Sequence, residues 1–165
     1  MPKIVSAIDS NDAAFQETRA DMLAQIDGLR ELERMIRARS EKSRERFAAR
    51  NQLLPRDRLE LLLDRGAPWL ELSTTAGYKT YDDDGEKNIS GARLITGIGM
   101  VAGVRCVVIV DDSGILAGAL HTHGVDKMIR AFNIALENKL PTIHLVQSAG
   151  ADLLDYVPAT WVRAG

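Results

Sequence analysis

The sequence predicts a mixed α/β fold that follows a long N-terminal helical arm. Apolar residues recur at intervals of three and four from Asn11 to Phe47, which is the spacing of an amphipathic helix. Beyond the arm, two runs rich in valine and isoleucine are followed by a helical pattern and a third such run. This order of β, β, α and β is typical of a sheet with a helical crossover. We therefore expect a helical arm over residues 1–66 and an α/β domain over residues 67–165.

The arm is expected to contain two helices. The first covers residues 11–47 and carries its apolar side chains on one face. Because no second helix of similar length is predicted nearby, this face is expected to dock on another domain or subunit. The second helix is predicted from Leu53 to Gly66, with Pro55 in its first turn and the glycine at its end.

The first part of the α/β domain is predicted to contain a short strand, a loop and a hairpin. Trp69–Leu72 has the length of a short strand, and the polar residues 73–90 are expected to form a loop. The runs at residues 92–102 and 104–110 are rich in β-branched side chains and are separated at Gly103, which favours a β-hairpin.

The second part is predicted to be a helix and a strand that leads into a loop of small residues. Residues 125–136 have helical periodicity and are followed by Asn138 and then Pro141, which favours a helix end there. Thr142–Val146 is the next predicted strand. The loop after it, Ser148–Ala151, is expected to open a helix and to aim bare backbone N–H groups at an anion.

This loop is the predicted functional site. A reaction that makes a transient negative oxygen requires donors that are fixed before the charge appears. The Ala151 N–H is the candidate donor, and Gly150 beside it leaves room for a ligand. Two alternatives remain open. The loop could serve only as a turn, with Asp152 supporting the helix electrostatically, or Ser148 could be a nucleophile, although the residues around it lack the Gly-x-Ser-x-Gly pattern of hydrolases.

Charge and composition argue against several classes of protein. The net charge of −2 gives no reason to expect a nucleic-acid partner. The sequence has no apolar run of 18 or more residues, and its first residues lack the pattern of a secretory signal, so we expect a cytoplasmic protein without a membrane span. The single cysteine, Cys106, lies in an apolar run and is expected to be buried.

Three weaker signals do not by themselves predict a function. Ten basic residues and five acidic ones lie in residues 30–58, so the arm could meet phosphates or an acidic partner, or could be a solvated helix face with i,i+4 ion pairs. His121 and His123 have no third ligand at a known spacing, so no metal site is expected. Gly97-Ile-Gly99 lies within a β-rich run, which argues against a dinucleotide-binding fold.

Several motifs together resemble one known family, the carboxyltransferase (β-type) subunits of biotin-dependent acyl-CoA carboxylases. The resemblance is greatest to the methylcrotonyl-CoA and geranyl-CoA carboxylase branch. The motifs are colinear and run through Glu41–Arg46, Leu53–Arg58, Leu61–Gly66, Trp69–Ser73, Ala76–Tyr78, Ile95–Gly99, Ala117–Gly118, Lys127, Arg130–Asn138 and Leu145–Ala151.

The resemblance implies a crotonase-like fold of ββα units, an acyl-CoA substrate, and a carboxyl group delivered by carboxybiotin on a separate carrier domain. In this family two backbone N–H groups hold the thioester enolate oxygen, and Ala151 occupies the position of the first donor, just after Gly150. The residues that match the lining of the thioester pocket are Ser148, Ala149, Ala117 and Gly118. Implied partners are a biotin carboxylase or carrier subunit and further copies of the same subunit in a homo-oligomer.

The resemblance also implies that the chain is an N-terminal part of such a subunit and an incomplete crotonase-like domain. The second oxyanion donor of the family lies beyond the position that matches Gly165, so we expect the 165-residue chain alone to be inactive. Alanine stands at residues 117 and 149, where the family more often has glycine, which adds a β-carbon beside the expected pocket.

Two other functions remain as alternatives. The chain could belong to another crotonase-superfamily enzyme, such as an enoyl-CoA hydratase or a biotin-dependent decarboxylase, although hydratases lack the long helical arm and the Leu53–Arg58 motif. It could also be a non-catalytic assembly module that docks through the helix at residues 11–47.

Overall fold

The computed structural model describes residue 6 and residues 8–80, 90–153 and 157–162. The chain divides into two compact units, Met1–Met35 and Ile36–Gly165. The division lies earlier than residue 66, where the sequence suggests the end of the helical arm. Part of the predicted loop, residues 81–89, lies outside the described residues.

The first unit consists mainly of the N-terminal part of helix α1, which spans Ala13–Glu41. Ion pairs between residues three apart, such as Arg30 with Asp27 at 3.3 Å, support the helix on its solvent side. Met22, Leu29 and Met35 are more than half exposed, so this part of the helix carries the exposed apolar stripe expected from its periodicity. In the part of the chain that the structure describes, no helix is both long and apolar enough to span a membrane.

Gly28 is a weak point in the middle of α1. A β-carbon added at this glycine would meet nothing within 4 Å, and its φ is not in the left-handed region. Gly28→Ala is therefore expected to raise the helicity of this unit and to stabilise it by about 0.5–1 kcal/mol, mainly because alanine loses less backbone entropy than glycine. Circular dichroism during thermal unfolding measures this, and an unchanged or lower melting temperature would contradict it.

The long helix ends earlier than predicted. The sequence predicts one helix up to Phe47, whereas α1 ends at Glu41 and a short helix α2 covers Arg44–Ala48. The break lies at Ser43, whose φ of −96° and ψ of 0° leave the helical region and whose Oγ donates to the Gly114 carbonyl at 2.6 Å. This tertiary hydrogen bond turns the chain out of the helix. Hydrophobic periodicity cannot predict it, because the two residues are far apart in the sequence.

Helix α3 covers Pro55–Leu62 and begins with its proline at the first helical position, as predicted. It ends before Gly66, because Leu63 is already extended with a ψ of 145°. Asp64 then leaves the helix axis to accept hydrogen bonds from the amides of Ala102 and Gly103 at 2.8 and 2.7 Å. The helix is therefore shortened by a carboxylate that holds the hairpin turn.

The second unit contains a four-stranded mixed sheet. Its strands, β1 at Leu70–Leu72, β2 at Leu94–Val101, β3 at Val104–Asp111 and β4 at Thr142–Leu145, lie side by side in chain order. β1, β2 and β3 pair antiparallel, and β3 and β4 pair parallel. Helix α4, Thr122–Glu137, connects the parallel pair, and a short helix α5 follows at Pro158–Val162. The predicted hairpin and the order β, β, α, β are confirmed.

The core has two parts because β3 is covered on both faces. Side chains alternate along the strand, so Cys106, Val108 and Val110 pack with Leu59 of α3, while Val107 and Ile109 pack against the α4 side of the sheet. All five residues of this stretch of β3 are at most 3% exposed. This stretch of the strand is apolar at every position because both of its faces are buried.

Helix α4 begins three residues before its predicted start. The His121 Nδ1 accepts the Gly124 N–H at 3.1 Å and so caps the helix, which lets it begin at Thr122. The predicted end near Asn138 is confirmed. His121 is buried, and its capping contact gives it a structural role.

Candidate functional site

The structure brings the six predicted site residues together. They lie on two segments: a left-handed turn at Leu116–Gly118 after β3, and the loop at residues 147–152 after β4. The Ala149 N–H donates to the Ala117 carbonyl at 3.0 Å, and the Ser148 Oγ donates to the Gly118 carbonyl at 2.7 Å. Residues that lie 30 or more positions apart in the sequence therefore form two packed segments, the two walls of one candidate site.

The loop does not open a helix at Ala151, contrary to the prediction. Ala151 instead forms a parallel β-bridge with Leu120. The Leu120 N–H donates to the Gly150 carbonyl at 2.8 Å, and the Asp152 N–H donates to the Leu120 carbonyl at 2.7 Å. Leu153 lies in a 3-10 helix, residues 154–156 lie outside the described residues, and the next described α-helix is α5.

The bridge leaves the Ala151 amide unpaired. In a parallel pairing, only every second residue of one chain is hydrogen-bonded to its neighbour. The Gly150 carbonyl and the Asp152 N–H bond to Leu120. The Ala151 N–H therefore faces away from Leu120. Among the described residues, the Ala151 N–H has no hydrogen-bond acceptor. The residue is half-buried. The structure thus provides a fixed, unoccupied donor, although a bridge and not a helix N-terminus fixes it.

Gly150 is needed for its backbone conformation. Its φ of 94° is one that L-residues rarely adopt. A β-carbon there would meet nothing within 4 Å. The Gly150 N–H donates to the Ser148 Oγ at 3.0 Å, so the turn is closed by the neighbouring hydroxyl. The role expected from the sequence, which was to leave space, is secondary to this conformation.

Gly118 is needed for close packing between the two walls. Leu116, Ala117 and Gly118 have φ values of 44°, 55° and 67°, so three consecutive residues are left-handed. A β-carbon on Gly118 would lie 2.8 Å from the Gln147 carbonyl oxygen, closer than real β-carbons come. Ala117 has an exposed side chain in a strained conformation, and backbone strain of this kind is concentrated at functional sites.

Ser148 joins the two walls. Its hydroxyl donates to the Gly118 carbonyl and accepts the Gly150 N–H. With its proton directed at a backbone carbonyl, the hydroxyl acts as a structural link, which favours the loop function over the nucleophile alternative.

Asp111 belongs to the candidate site, although the sequence offers it only as a possible acid or base or as part of a turn signal at the end of a strand. It is 1% exposed; its Oδ2 accepts the Gln147 N–H at 2.9 Å, and its Oδ1 lies 3.0 Å from the His144 Nε2. The Gln147 side chain in turn accepts from Arg58 at 2.8 Å. A charged residue at the end of an otherwise apolar strand was the available signal, but the sequence does not show that its partner is a backbone amide 36 residues later.

Arg93 is a site residue that sequence reasoning missed. Its side chain is 2% exposed, and its Nη1 donates to the Asp152 Oδ2 at 2.7 Å and to the Ala119 carbonyl at 2.8 Å. The sequence predicts that a strand begins at Ala92. The strand instead begins at Leu94, because Gly91, Ala92 and Arg93 form a left-handed turn with φ values of 78°, 57° and 55°.

A cluster of buried charges lies beside this turn. The Lys127 Nζ, on a residue that is 4% exposed, donates to the Leu94 carbonyl at 2.6 Å and to the Gly91 carbonyl at 3.0 Å. Burial lowers the pKa of this lysine to about 8, although the negative charges of Glu71 and Asp112 oppose the change.

The two carboxylates of this cluster differ in their pKa. Burial acts to raise the pKa of Glu71, but the hydrogen bond and charge of Arg56, with the charges of Arg37 and Lys127, hold it below its ordinary value. Arg56 contacts both Glu71 oxygens at 2.8 and 3.0 Å. Burial raises the pKa of Asp112 above its ordinary value, in spite of the Ser40 hydroxyl that donates to it at 2.6 Å.

Several arginines of the basic segment at residues 30–58 are paired with carboxylates. Arg44 contacts both Glu41 and Asp57, at 2.7 and 2.8 Å. Arg37 and Arg56 both contact Glu71. Within the described residues, no group of three or more histidine, cysteine or acidic side chains is arranged to hold a metal ion.

The fold and the loop of small residues define a class of protein, and comparison with known proteins identifies it. The model of the carboxyl transferase domain family matches residues 46–160. The chain belongs to this family. The β chain of methylcrotonoyl-CoA carboxylase from Dictyostelium discoideum is 38% identical over 147 residues, which are 88% of this chain and 24% of that protein.

A β1 subunit of biotin-dependent 3-methylcrotonyl-coenzyme A carboxylase from Mycobacterium tuberculosis is 43% identical over 114 residues, or 69% of this chain and 21% of that protein. The β subunit of P. aeruginosa geranyl-CoA carboxylase superposes with a TM-score of 0.87 at 44% identity, covering 98% of this chain and 30% of that one. The 12S transcarboxylase core, 20% identical, shares the fold with a TM-score of 0.70. The chain thus spans about a quarter of the length of these relatives, and the predicted family and crotonase-like fold are confirmed.

Proposed function

We propose that the chain is part of the carboxyltransferase component of a biotin-dependent acyl-CoA carboxylase, which transfers a carboxyl group from carboxybiotin to an acyl-CoA, with a branched enoyl-CoA as substrate. Family membership supports the reaction class. The unpaired Ala151 amide at the junction of two small-residue walls is the observation that carries the proposal.

In this proposal the chain provides one side of the reaction site. The thioester lies against the surface that the turn at residues 116–118 and the loop at residues 147–152 form together, with its oxygen at the Ala151 N–H. When a base in the rest of the complete site accepts a proton from the acyl chain, negative charge develops on that oxygen, and a donor already fixed in position stabilises the charge. Ala117, Gly118, Ser148 and Ala149 form the walls. They are small residues, which lets a substrate approach the backbone.

Carboxybiotin, on a partner carrier domain, supplies the carboxyl group. By resemblance to the family, we assign the residues that hold biotin and the second oxyanion donor to the rest of the subunit. We therefore expect this chain alone to bind acyl-CoA without turning it over, because removing one donor already costs about 3 kcal/mol of transition-state stabilisation. Further copies of the subunit and a biotin carboxylase subunit are the proposed partners.

The proposal is tested by isothermal calorimetry of the chain with 3-methylcrotonyl-CoA, geranyl-CoA and free CoA. Binding of a thioester that is tighter than binding of free CoA is the expected result, because only the thioester presents a carbonyl oxygen to the Ala151 amide. Equal affinity for the thioesters and for CoA, or no binding at all, would contradict the proposal.

Gly118→Ala is expected to weaken thioester binding, and Gly103→Ala is its matched control. Both glycines are left-handed, with φ values of 67° and 76°, so alanine strains both by about 1 kcal/mol. A β-carbon clashes with the Gln147 carbonyl only at Gly118 and meets nothing within 4 Å at Gly103, in the turn at the other end of the hairpin. Calorimetry should show a Kd raised about tenfold for the Gly118 variant alone. Equal losses of thioester affinity in the two variants would show that the loop does not form part of the binding site.

An assembly role is the second candidate, and the exposed apolar stripe of α1 favours it. Met22, Leu29 and Met35 are each more than half exposed. If the chain binds no thioester but associates tightly with a biotin carboxylase subunit, and if Leu29→Glu abolishes that association, the scaffold function replaces the catalytic one.

A further inference from the structure

The segments that form the proposed thioester site are held by two buried charges of opposite sign. One is the Asp111 carboxylate, which accepts the Gln147 N–H at the start of the loop. The other is the Arg93 guanidinium, which contacts Asp152 at the end of the loop. The Ala151 amide lies between these two anchors, one residue from the second.

A single nitrogen of Arg93, Nη1, contacts both walls of the site. It donates to the Ala119 carbonyl, which follows the left-handed turn, and to the Asp152 carboxylate, which follows the loop. These contacts lie beside the bridge between Leu120 and Ala151, where the two walls pair. A displacement of this guanidinium would therefore let one wall move relative to the other.

The backbone around Arg93 is strained. Gly91, Ala92 and Arg93 are all left-handed, and two of them are not glycine. The Lys127 Nζ binds the carbonyls of Gly91 and Leu94, on the two sides of this distorted segment. Strained residues persist only where the surrounding structure over-determines them, and they are concentrated at functional sites.

Burial of this pair is weak evidence for a role in stability. A guanidinium that is 2% exposed and a carboxylate that is 19% exposed have lost most of their hydration, and the desolvation penalty of a buried pair can exceed its attraction. Apolar residues of similar size often stabilise a fold equally well. A role in placing the two walls accounts for the pair better than a role in overall stability.

We propose that Arg93 is a positioning residue, which acts through Asp152 and Ala119 to fix the Ala151 amide toward the thioester oxygen. This inference rests on the proposed function for its ligand. Asp111 performs the corresponding task at Gln147. Arg93 itself touches no reacting atom in this assignment.

The test compares Arg93→Met and Asp152→Asn with the conservative variant Arg93→Lys, which can keep one cationic donor near both oxygens. The first readout is amide hydrogen exchange at Asp152 and Leu120, with amides of the β2–β3 hairpin as internal reference. The second is the ratio of affinities for 3-methylcrotonyl-CoA and free CoA. A merely structural role would lower both affinities together.

Loss of the clamp, meaning the contacts of Arg93 with Asp152 and Ala119, is expected to speed exchange at Asp152 about tenfold relative to the hairpin amides. It is also expected to reduce the preference for thioester over CoA about tenfold. Arg93→Lys should recover part of both. The proposal is overturned if Asp152 exchange is unchanged in Arg93→Met and Asp152→Asn, or if thioester and CoA affinities fall equally. If the wild-type chain shows no thioester preference, the proposed function fails, and hydrogen exchange alone then decides whether the clamp exists.

Discussion

Ala151→Pro is expected to abolish the preference of the chain for a thioester over free CoA. Proline has no backbone N–H, so the substitution deletes the proposed donor. In a complete subunit that contains this segment, removal of one oxyanion donor is expected to lower kcat about 100- to 1000-fold. Isothermal calorimetry on the chain, and carboxylation kinetics on the complete subunit, measure the two effects.

Ala151→Ser is the matched control for this prediction. Serine keeps the N–H and remains small, so thioester preference should stay close to that of the wild type. The neighbouring bonds between Leu120 and residues 150 and 152 do not use the Ala151 amide, so both variants should retain the bridge. Equal behaviour of the proline and serine variants would show that this amide does not bind the substrate.

The sequence predicts the sheet of this protein better than it predicts the site. The run from Val104 to Val110 is apolar throughout because both faces of β3 are covered, and the Gly103 turn lies where a two-residue hairpin loop requires a positive φ. Both signals are local. The positions of the hairpin, of α4 and of β4 therefore follow from short windows of sequence.

The anchors of the site are set by contacts between distant residues. Asp111 meets Gln147 across 36 positions, and Arg93 meets Asp152 across 59. The same kind of contact explains why the long helix ends at Glu41, since Ser43 bonds to Gly114 across 71 positions. The loop Ser148–Ala151 could be chosen from its small residues, and Ala117 and Gly118 from resemblance, but the long-range partners of the charged residues that hold them could not be found from any local pattern.

Lys127 is expected to make the stability of the protein depend on pH between about 8 and 10.5. Its pKa is about 8 in the folded protein, against 10.5 for a lysine that is fully hydrated, as it is in the unfolded chain. The unfolded state therefore binds more protons within this window, and the free energy of unfolding rises as the pH rises through it. The gap between the two pKa values corresponds to about 3 kcal/mol. Below pH 8 the full destabilisation is present, because both states are then protonated and the buried cation lacks its hydration.

Lys127→Met removes this contribution, and Lys42→Met, at an exposed lysine, is the control. Chemical denaturation at pH 7.5 and pH 10 should show wild type and Lys42→Met gaining stability relative to Lys127→Met by about 2–3 kcal/mol over that interval. Parallel curves for all three proteins would mean that Lys127 is hydrated in solution. The same lysine joins the carbonyls of Gly91 and Leu94 around Arg93. Its loss should therefore also loosen the turn that aims the guanidinium at Asp152, so that thioester preference falls together with the pH dependence.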